Sequence, residues 1–218
     1  MNYIGSKYKL LPFIKQTIYS IVGKDLSQKI CCDLFAGTGV VGRAFKTEVK
    51  QIISNDIEYY SYVLNKNYIE NHIAFNYWEH LSELNSLEGV NGFIFEQYSE
   101  KGTAGRNYFK ANNGKRIDAI RQKIEEWKKE NYITENVYFF LLASLLENAD
   151  KVANTASVYG AFLKHIKKTA QKDLYLEPAF FVENENDHLV FNEDGNTLIT
   201  KISGDILYLD PPYNHREY

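Results

Sequence analysis

Residues 29–42 read KICCDLFAGTGVVG. The apolar run Ile30–Cys32 ends at an acid, Asp33, and glycines follow at 37, 39 and 42. A short apolar run closed by glycines is the pattern of a buried strand entering a tight turn, because glycine lets the backbone turn sharply and approach a ligand closely. Helix-like GRAFKTE (42–48) comes next, then a second apolar run, QIISND (51–56), then EYYSYVLNKNYIENH (58–72) with helical periodicity. Strand, turn, helix and strand in that order predict an α/β fold with a parallel sheet.

The pattern extends outward on both sides. YKLLPFIKQTIYSIV (8–22) has apolar residues near a helical spacing, with Pro12 tolerable in the first turn. Further strand signals come at HLVFNED (188–194) and GDILYLDPPY (204–213). Between them, RIDAIRQKIEEWKKE (116–130) predicts an amphipathic helix and NVYFFLLASLLENA (136–149) a buried one. EKGTAGRNYFKANNGKR (100–116) reads as a loop. The expected organisation is a sheet domain from 1–73 and 184–218, interrupted by a mostly helical insertion over 74–183.

Composition narrows the class. The 218 residues are 44% hydrophobic and 24% charged, ordinary for a globular protein with a core. A net charge of -3 excludes a uniformly basic nucleic-acid binder, so any such binding has to come from local patches. Cys31 and Cys32 are adjacent and expected as buried free thiols, since neighbours in a strand face opposite ways. There is no secretory signal pattern and no uninterrupted apolar span, so a cytoplasmic protein is expected. Five scattered histidines and one vicinal cysteine pair imply no metal.

Three motifs carry chemistry. In DLFAGTG, Asp33 can take a cationic ligand group, and Asp56 at the end of the next run suits ribose hydroxyls. No Gly-Lys-Ser/Thr follows, so a nucleoside without phosphates fits better than a nucleotide. The same glycines also suit a plain strand-to-helix turn. NYIGSKYK (2–9) reads equally as a ligand-bordering segment or as a chain end leading into a helix. In LYLDPPY (207–213) two prolines stiffen the backbone after a buried strand and remove two N–H donors. Asp210 and the Pro211 carbonyl are then hydrogen-bond acceptors at a strand's carboxyl end, with the Tyr213 ring beside them. A flat group bearing an amino substituent fits such a site.

The order YIGSKYKLL, DLFAGTG, Asn55-Asp56, a long insertion, FNED (191–194) and LDPPY is similar to that of the D12-class (alpha group, Dam-type) DNA adenine N6-methyltransferases. GRNYFKANNGKRIDAIR and VANTASVYGAFLKHIKK also resemble segments of that class. The resemblance covers essentially the whole chain. It implies a Rossmann-like sheet that binds S-adenosylmethionine, a helical target-recognition insertion, and methyl transfer to N6 of a flipped adenine in duplex DNA, of restriction–modification or phage type. Tyr3, Gly5 and Lys7 would border the cofactor. Asp33, Phe35, Gly37 and Gly39 would hold its methionine end. Asp56 would bind the ribose, Ile57 would pack on the cofactor adenine, and Asp194 would meet the adenine amino group. Asp210, Pro211, Pro212 and Tyr213 would form the catalytic site.

DNA contact needs cations. Lys101, Arg106, Lys110, Lys115, Arg116, Arg121 and Lys123 face a single acid, Asp118, within residues 101–123, and Lys164, Lys167 and Lys168 form a second cluster. Both also suit a solvated helix face. One-sided clustering in a chain of net negative charge favours phosphate contact. A cognate restriction endonuclease and no membrane partner are expected. By the resemblance, about three more strands follow the catalytic one. The sheet is therefore expected to be C-terminally incomplete, with an exposed apolar edge. A second chain supplying those strands, or a truncated remnant that binds cofactor or DNA without turnover, is the alternative. The chain alone is expected to bind cofactor weakly and to turn over little. Methylation of RNA or of protein amides is a further reading, which the motif order and the insertion disfavour.

Overall fold

The computed structural model describes residues 7–155 and 161–212. It divides into two compact units, Gly5–Ala74 with Phe180–Tyr218, and Phe75–Ala179.

The first unit is built on a sheet of four parallel strands: β1 (Ile30–Asp33), β2 (Gln51–Asn55), β3 (Leu189–Phe191) and β4 (Ile206–Tyr208), in the order β3-β2-β1-β4. The chain moves outward from β1 to β3 and then returns to the other side of β1 as β4. The topology therefore switches between β1 and β4, and open α/β sheets bind ligands at such points, off the carboxyl ends of the strands. Helix α1 (Leu11–Val22) follows a 3₁₀ turn over Tyr8–Leu10 and carries Pro12 in its first turn, where a missing N–H costs nothing. Helix α2 (Val40–Phe45) fills the crossover from β1 to β2, and α3 (Tyr59–Asn65) runs on into a π-helical turn, Lys66–Glu70. Ile14, Leu26, Cys31, Val41, Phe45, Val49, Ile52, Ile69, Val190 and Ile206 make one core. Cys31 and Cys32 are free and buried, and burial pushes the Cys31 thiol up to about 12. Leu207 and Leu209 are half exposed on the edge strand β4.

The second unit is helical: α4 (Trp78–Ser86), α5 (Phe93–Tyr98), α6 (Ala111–Lys129), α7 (Glu135–Val152) and a 3₁₀ turn, Lys168–Gln171. Apolar Phe139–Ala143 is buried along α7, and Thr134 caps its start by accepting from the Val137 amide. Helix α6 begins five residues before the expected 116. Asn112, Asn113 and Gly114 are poor helix formers, but tertiary contacts override them. The buried Asn113 side chain donates to the Lys172 carbonyl at 2.8 Å and accepts from the Leu174 amide at 2.9 Å. A Cβ on Gly114 would lie 1.9 Å from Ser99 Oγ, so this helix start needs glycine to pass α5. Asp118, the lone acid of the cationic stretch, is buried and accepts from the Ile94 and Phe95 amides, which caps α5 from another helix. A short helix, α8 (Gly195–Leu198), lies between β3 and β4, in a stretch without helical periodicity. Among the described residues, no helix is long and apolar enough to cross a membrane.

Candidate active site

The carboxyl ends of β1 and β4 flank the topological switch, and each carries an acid. Asp33 ends β1 opposite Tyr208, and Asp210 follows two residues after Tyr208. Asp33 is 1% exposed and, among the described residues, neither of its carboxyl oxygens has a hydrogen-bond partner. Burial first, then the nearby charge of Asp56 and more weakly that of Asp210, pushes its acid up from 3.8 to about 7. The Phe35 amide pulls the other way without closing a bond. A buried carboxylate lacking a partner is costly.

The glycine turn beside it is held by side chains. Gly37 and Gly39 take left-handed backbone angles, φ 53° and 73°, which non-glycine residues adopt only at a cost. The Gly37 amide donates to Asp56 Oδ2 at 2.7 Å, and the Glu58 amide donates to Asp56 Oδ1 at 2.9 Å. Burial raises the Asp56 acid, and these two amides oppose the rise. Asp56 thus shapes the turn, and each of its oxygens keeps a further lone pair. Asn65 on α3 donates to the Gly37 carbonyl at 2.9 Å and accepts from Ser54 Oγ at 2.8 Å. Asn55 joins two strand ends, donating to the Leu34 and Glu193 carbonyls and accepting from the Glu193 amide. Asn192 donates to the carbonyls of Asp56 and Ile57. Asn55 and Asn192 lie in the motifs Asn55-Asp56 and FNED, but neither they nor Asn65 has a role legible in the sequence alone. The available signal was the polarity of Asn55 and Asn192 at the ends of apolar strand runs and of Asn65 on the apolar face of α3.

The other residues assigned by resemblance are placed as follows. Phe35 packs within 3.3 Å of where a Cβ on Gly195 would stand. Ile57 is 68% exposed just past β2. Asp194 caps α8, its Oδ1 accepting from the Thr197 amide and hydroxyl. Pro211 and Pro212 are exposed. Lys7, expected at the cofactor border, lies on Asp210, with Nζ 2.7 Å from Oδ2. Tyr3, Gly5 and Tyr213 lie outside the described residues.

In the helical unit the candidate DNA cations divide into two sets. Arg116 donates to the Leu87 and Asn85 carbonyls at 2.9 and 3.1 Å, so its guanidinium serves the fold. Arg121 pairs with Glu125 one turn along α6. Lys110 donates to the Gln171 carbonyl and Lys167 to the Thr155 carbonyl, while Lys115 lies over the Phe95 ring. Lys101, Arg106, Lys164 and Lys168 are exposed and, among the described residues, make no ion pair. The two cationic segments meet through Asn154, fully buried, which donates to the Asn107 and Leu163 carbonyls and accepts from the Lys167 amide. Tyr108 and Phe109 are buried too, so they are packing residues in this unit.

An acid at each strand flanking the switch, a left-handed glycine turn and an Asp-Pro-Pro exit from β4 thus lie together at the carboxyl ends of the strands. The model of the D12 class N6 adenine-specific DNA methyltransferase family matches residues 3–218, and the chain belongs to that family. It is 58% identical to the type II methyltransferase M.NlaIII of Neisseria lactamica over 219 residues, which is all of this chain and 66% of that protein. It is 40% identical to the modification methylase StsI of Streptococcus sanguinis, covering 34% of it, and 40% identical to the type II methyltransferase M.FokI of Planomicrobium okeanokoites, covering 35%. The chain thus spans about two thirds of the first relative and about one third of the other two. No solved structure matches it.

Proposed function

We propose that the protein transfers a methyl group from S-adenosylmethionine to N6 of an adenine flipped out of duplex DNA, as the modification arm of a type II restriction–modification system. The observation that carries this reading is the orphaned, buried Asp33 at the end of β1, with Asp210 off the adjacent strand. Family membership and the names of the relatives, type II methyltransferase and modification methylase, support it. A cognate endonuclease acting on the same DNA sequence and a cytoplasmic location follow from that role.

The residues fit the cofactor. Asp33 would hold the ammonium of its methionine end, which removes the penalty of an unpaired buried carboxylate. The Gly37–Gly39 turn leaves room for the backbone to approach it. Asp56 keeps lone pairs for the ribose hydroxyls, and exposed Ile57 offers an apolar face to a ring. Tyr3 and Gly5 are proposed on the cofactor side, and Asp194 at its adenine amino group. When bound, S-adenosylmethionine supplies an electrophilic methyl on a sulfonium. Adenine N6 is a weak nucleophile because its lone pair is delocalised into the ring. Asp210 accepts one amino proton in a hydrogen bond and the Pro211 carbonyl accepts the other. These two bonds favour a more tetrahedral nitrogen with its lone pair available; as N6 takes the methyl, leaving S-adenosylhomocysteine to be released, Asp210 takes the surplus N6 proton and passes it to solvent. Pro212 stiffens the backbone that presents them, and Tyr213 stacks on the base. Rate then comes from positioning and preorganised acceptors. Base extrusion costs a few kcal/mol, partly offset by that stacking. The buried, high-pKa Cys31 supplies no nucleophile. Lys101, Arg106, Lys164 and Lys168 contact phosphates, with Lys110, Lys115, Lys167 and Arg121 beside them.

The test incubates purified protein carrying these residues with methyl-tritiated S-adenosylmethionine and genomic DNA, then separates the nucleosides. Label in N6-methyldeoxyadenosine is expected. Label in cytosine, or equal transfer to duplex lacking adenine, would overturn the reading.

A further inference from the structure

We infer that Lys7 is a positioning residue of the acceptor site, holding one oxygen of Asp210 so that the other faces the target amino group. This rests on the methyltransferase reading but assigns Lys7 a role that the resemblance gives to the cofactor border.

The geometry supports it from both ends. Lys7 Nζ lies 2.7 Å from Asp210 Oδ2, with the two side chains 16% and 25% exposed. That distance suits a charge-assisted hydrogen bond. The Lys7 backbone is fixed because its carbonyl accepts from the Leu10 amide at 2.8 Å in the turn that opens α1. Ile14 of α1 and Ile206 of β4 share one core. Ion-pair partners are thus mounted on two elements anchored in the same packing. Asp210 otherwise stands at the end of a three-residue edge strand and is followed by exposed prolines. Among the described residues, Lys7 is the one polar partner of its carboxylate. A carboxylate that must meet an amino proton within a few tenths of an ångström needs such a support.

Charge points the same way. Asp33, Asp56 and Asp210 converge closely enough for the other two to act on Asp33. An ammonium tied to Asp210 compensates the carboxylate nearest the incoming base. Oδ1 is left open, and a carboxylate has lone pairs enough to take Lys7 and an amino N–H together. Lys7 therefore stays in place during the reaction and makes no contact with the transferred methyl.

The experiment compares the wild type, Lys7→Met, Lys7→Arg, Asp210→Asn and the Lys7→Met/Asp210→Asn double variant. Cofactor affinity is read by calorimetry, single-turnover methylation of genomic DNA with saturating cofactor, and thermal stability by fluorescence. Lys7→Met is expected to slow methylation about 10²-fold, to leave cofactor affinity within about twofold, and to lower the melting temperature. Lys7→Arg is expected to recover part of the rate. Adding Lys7→Met to Asp210→Asn is expected to lower the melting temperature no further, since the amide no longer needs the cation. Intact cofactor binding shows that each variant is folded. A loss of cofactor affinity at unchanged single-turnover rate overturns the inference and returns Lys7 to the cofactor border. So does an undiminished rate in Lys7→Met. A wild type that binds cofactor but methylates no DNA overturns the methyltransferase reading, and the melting-temperature cycle still decides whether Lys7 supports Asp210.

Discussion

Replacing Asp33 with asparagine should stabilise the cofactor-free protein at alkaline pH and abolish tight cofactor binding. The folded protein holds the Asp33 proton up to about pH 7, whereas the unfolded chain releases it near 3.8. The folded state therefore binds more protons across that window, and its stability falls as pH rises through it. Above pH 7 the full cost of the buried charge is present, roughly 4 kcal/mol for a change of this size. An amide in the same place carries no charge but leaves its own polar atoms without partners, at about 1–3 kcal/mol. The net gain for D33N at pH 8 is then about 2 kcal/mol, or roughly 4–8 °C in melting temperature for a chain of this length. At pH 4 the gain should vanish. Cofactor binding to the wild type should release a proton and strengthen as pH climbs towards 7, then level off, because the ammonium needs the ionised acid. Scanning calorimetry at the two pH values and titration calorimetry with S-adenosylmethionine measure all three effects. If D33N melts earlier than the wild type at pH 8, or binds cofactor equally well, Asp33 is not an orphaned carboxylate awaiting a cation.

Three further outcomes follow from particular contacts. His188 is buried, its Nδ1 accepts from the Ile52 amide at 3.0 Å, and burial lowers its pKa from 6.5 to about 4. Its contribution to stability should be lost as pH falls from 6.5 towards 4, by up to roughly 3 kcal/mol, and His188→Gln should flatten that limb of an acid-unfolding profile. Arg106→Gln and Lys164→Gln should each reduce the salt slope of DNA binding by about 1 without altering stability. Arg116→Gln should do the reverse, because it breaks two bonds to carbonyls. Gly39→Ala should destabilise by about 1–3 kcal/mol and weaken cofactor binding, since φ is 73° and a Cβ would lie 2.6 Å from Asn65 Oδ1; chemical denaturation with cofactor titration checks both.

The sheet was legible because its strands are short apolar runs closed by glycine, acid or proline, and such runs report burial directly. Its strand order, β3-β2-β1-β4, was not legible in the sequence, because run positions do not say which strands pair. The start of α6 was hidden by tertiary effects. Asn113 and Gly114 look like loop residues locally, yet they are what lets α6 pack on α5. Asp33 and Asp210 were legible as acids at strand ends. The bonding roles of Asn55, Asn65 and Asn192 were not, because an asparagine that staples loops looks in sequence like one that faces water. The Lys7–Asp210 pair joins opposite ends of the chain, and no periodicity reports such a contact. The cationic run shows the opposite failure. Charge counting cannot distinguish Arg116, tied to two carbonyls, from exposed Arg106.

The most direct test of the central claim is adenine modification in a living cell. Protein carrying these residues would be expressed in a bacterial host lacking DNA adenine methylation, beside an Asp210→Ala control, and the genome read by single-molecule sequencing. The expected result is N6-methyladenine at one short recurring sequence with the wild type and none with the control. Methylated cytosine instead, or an unmodified genome from a folded, cofactor-binding protein, would contradict the assignment.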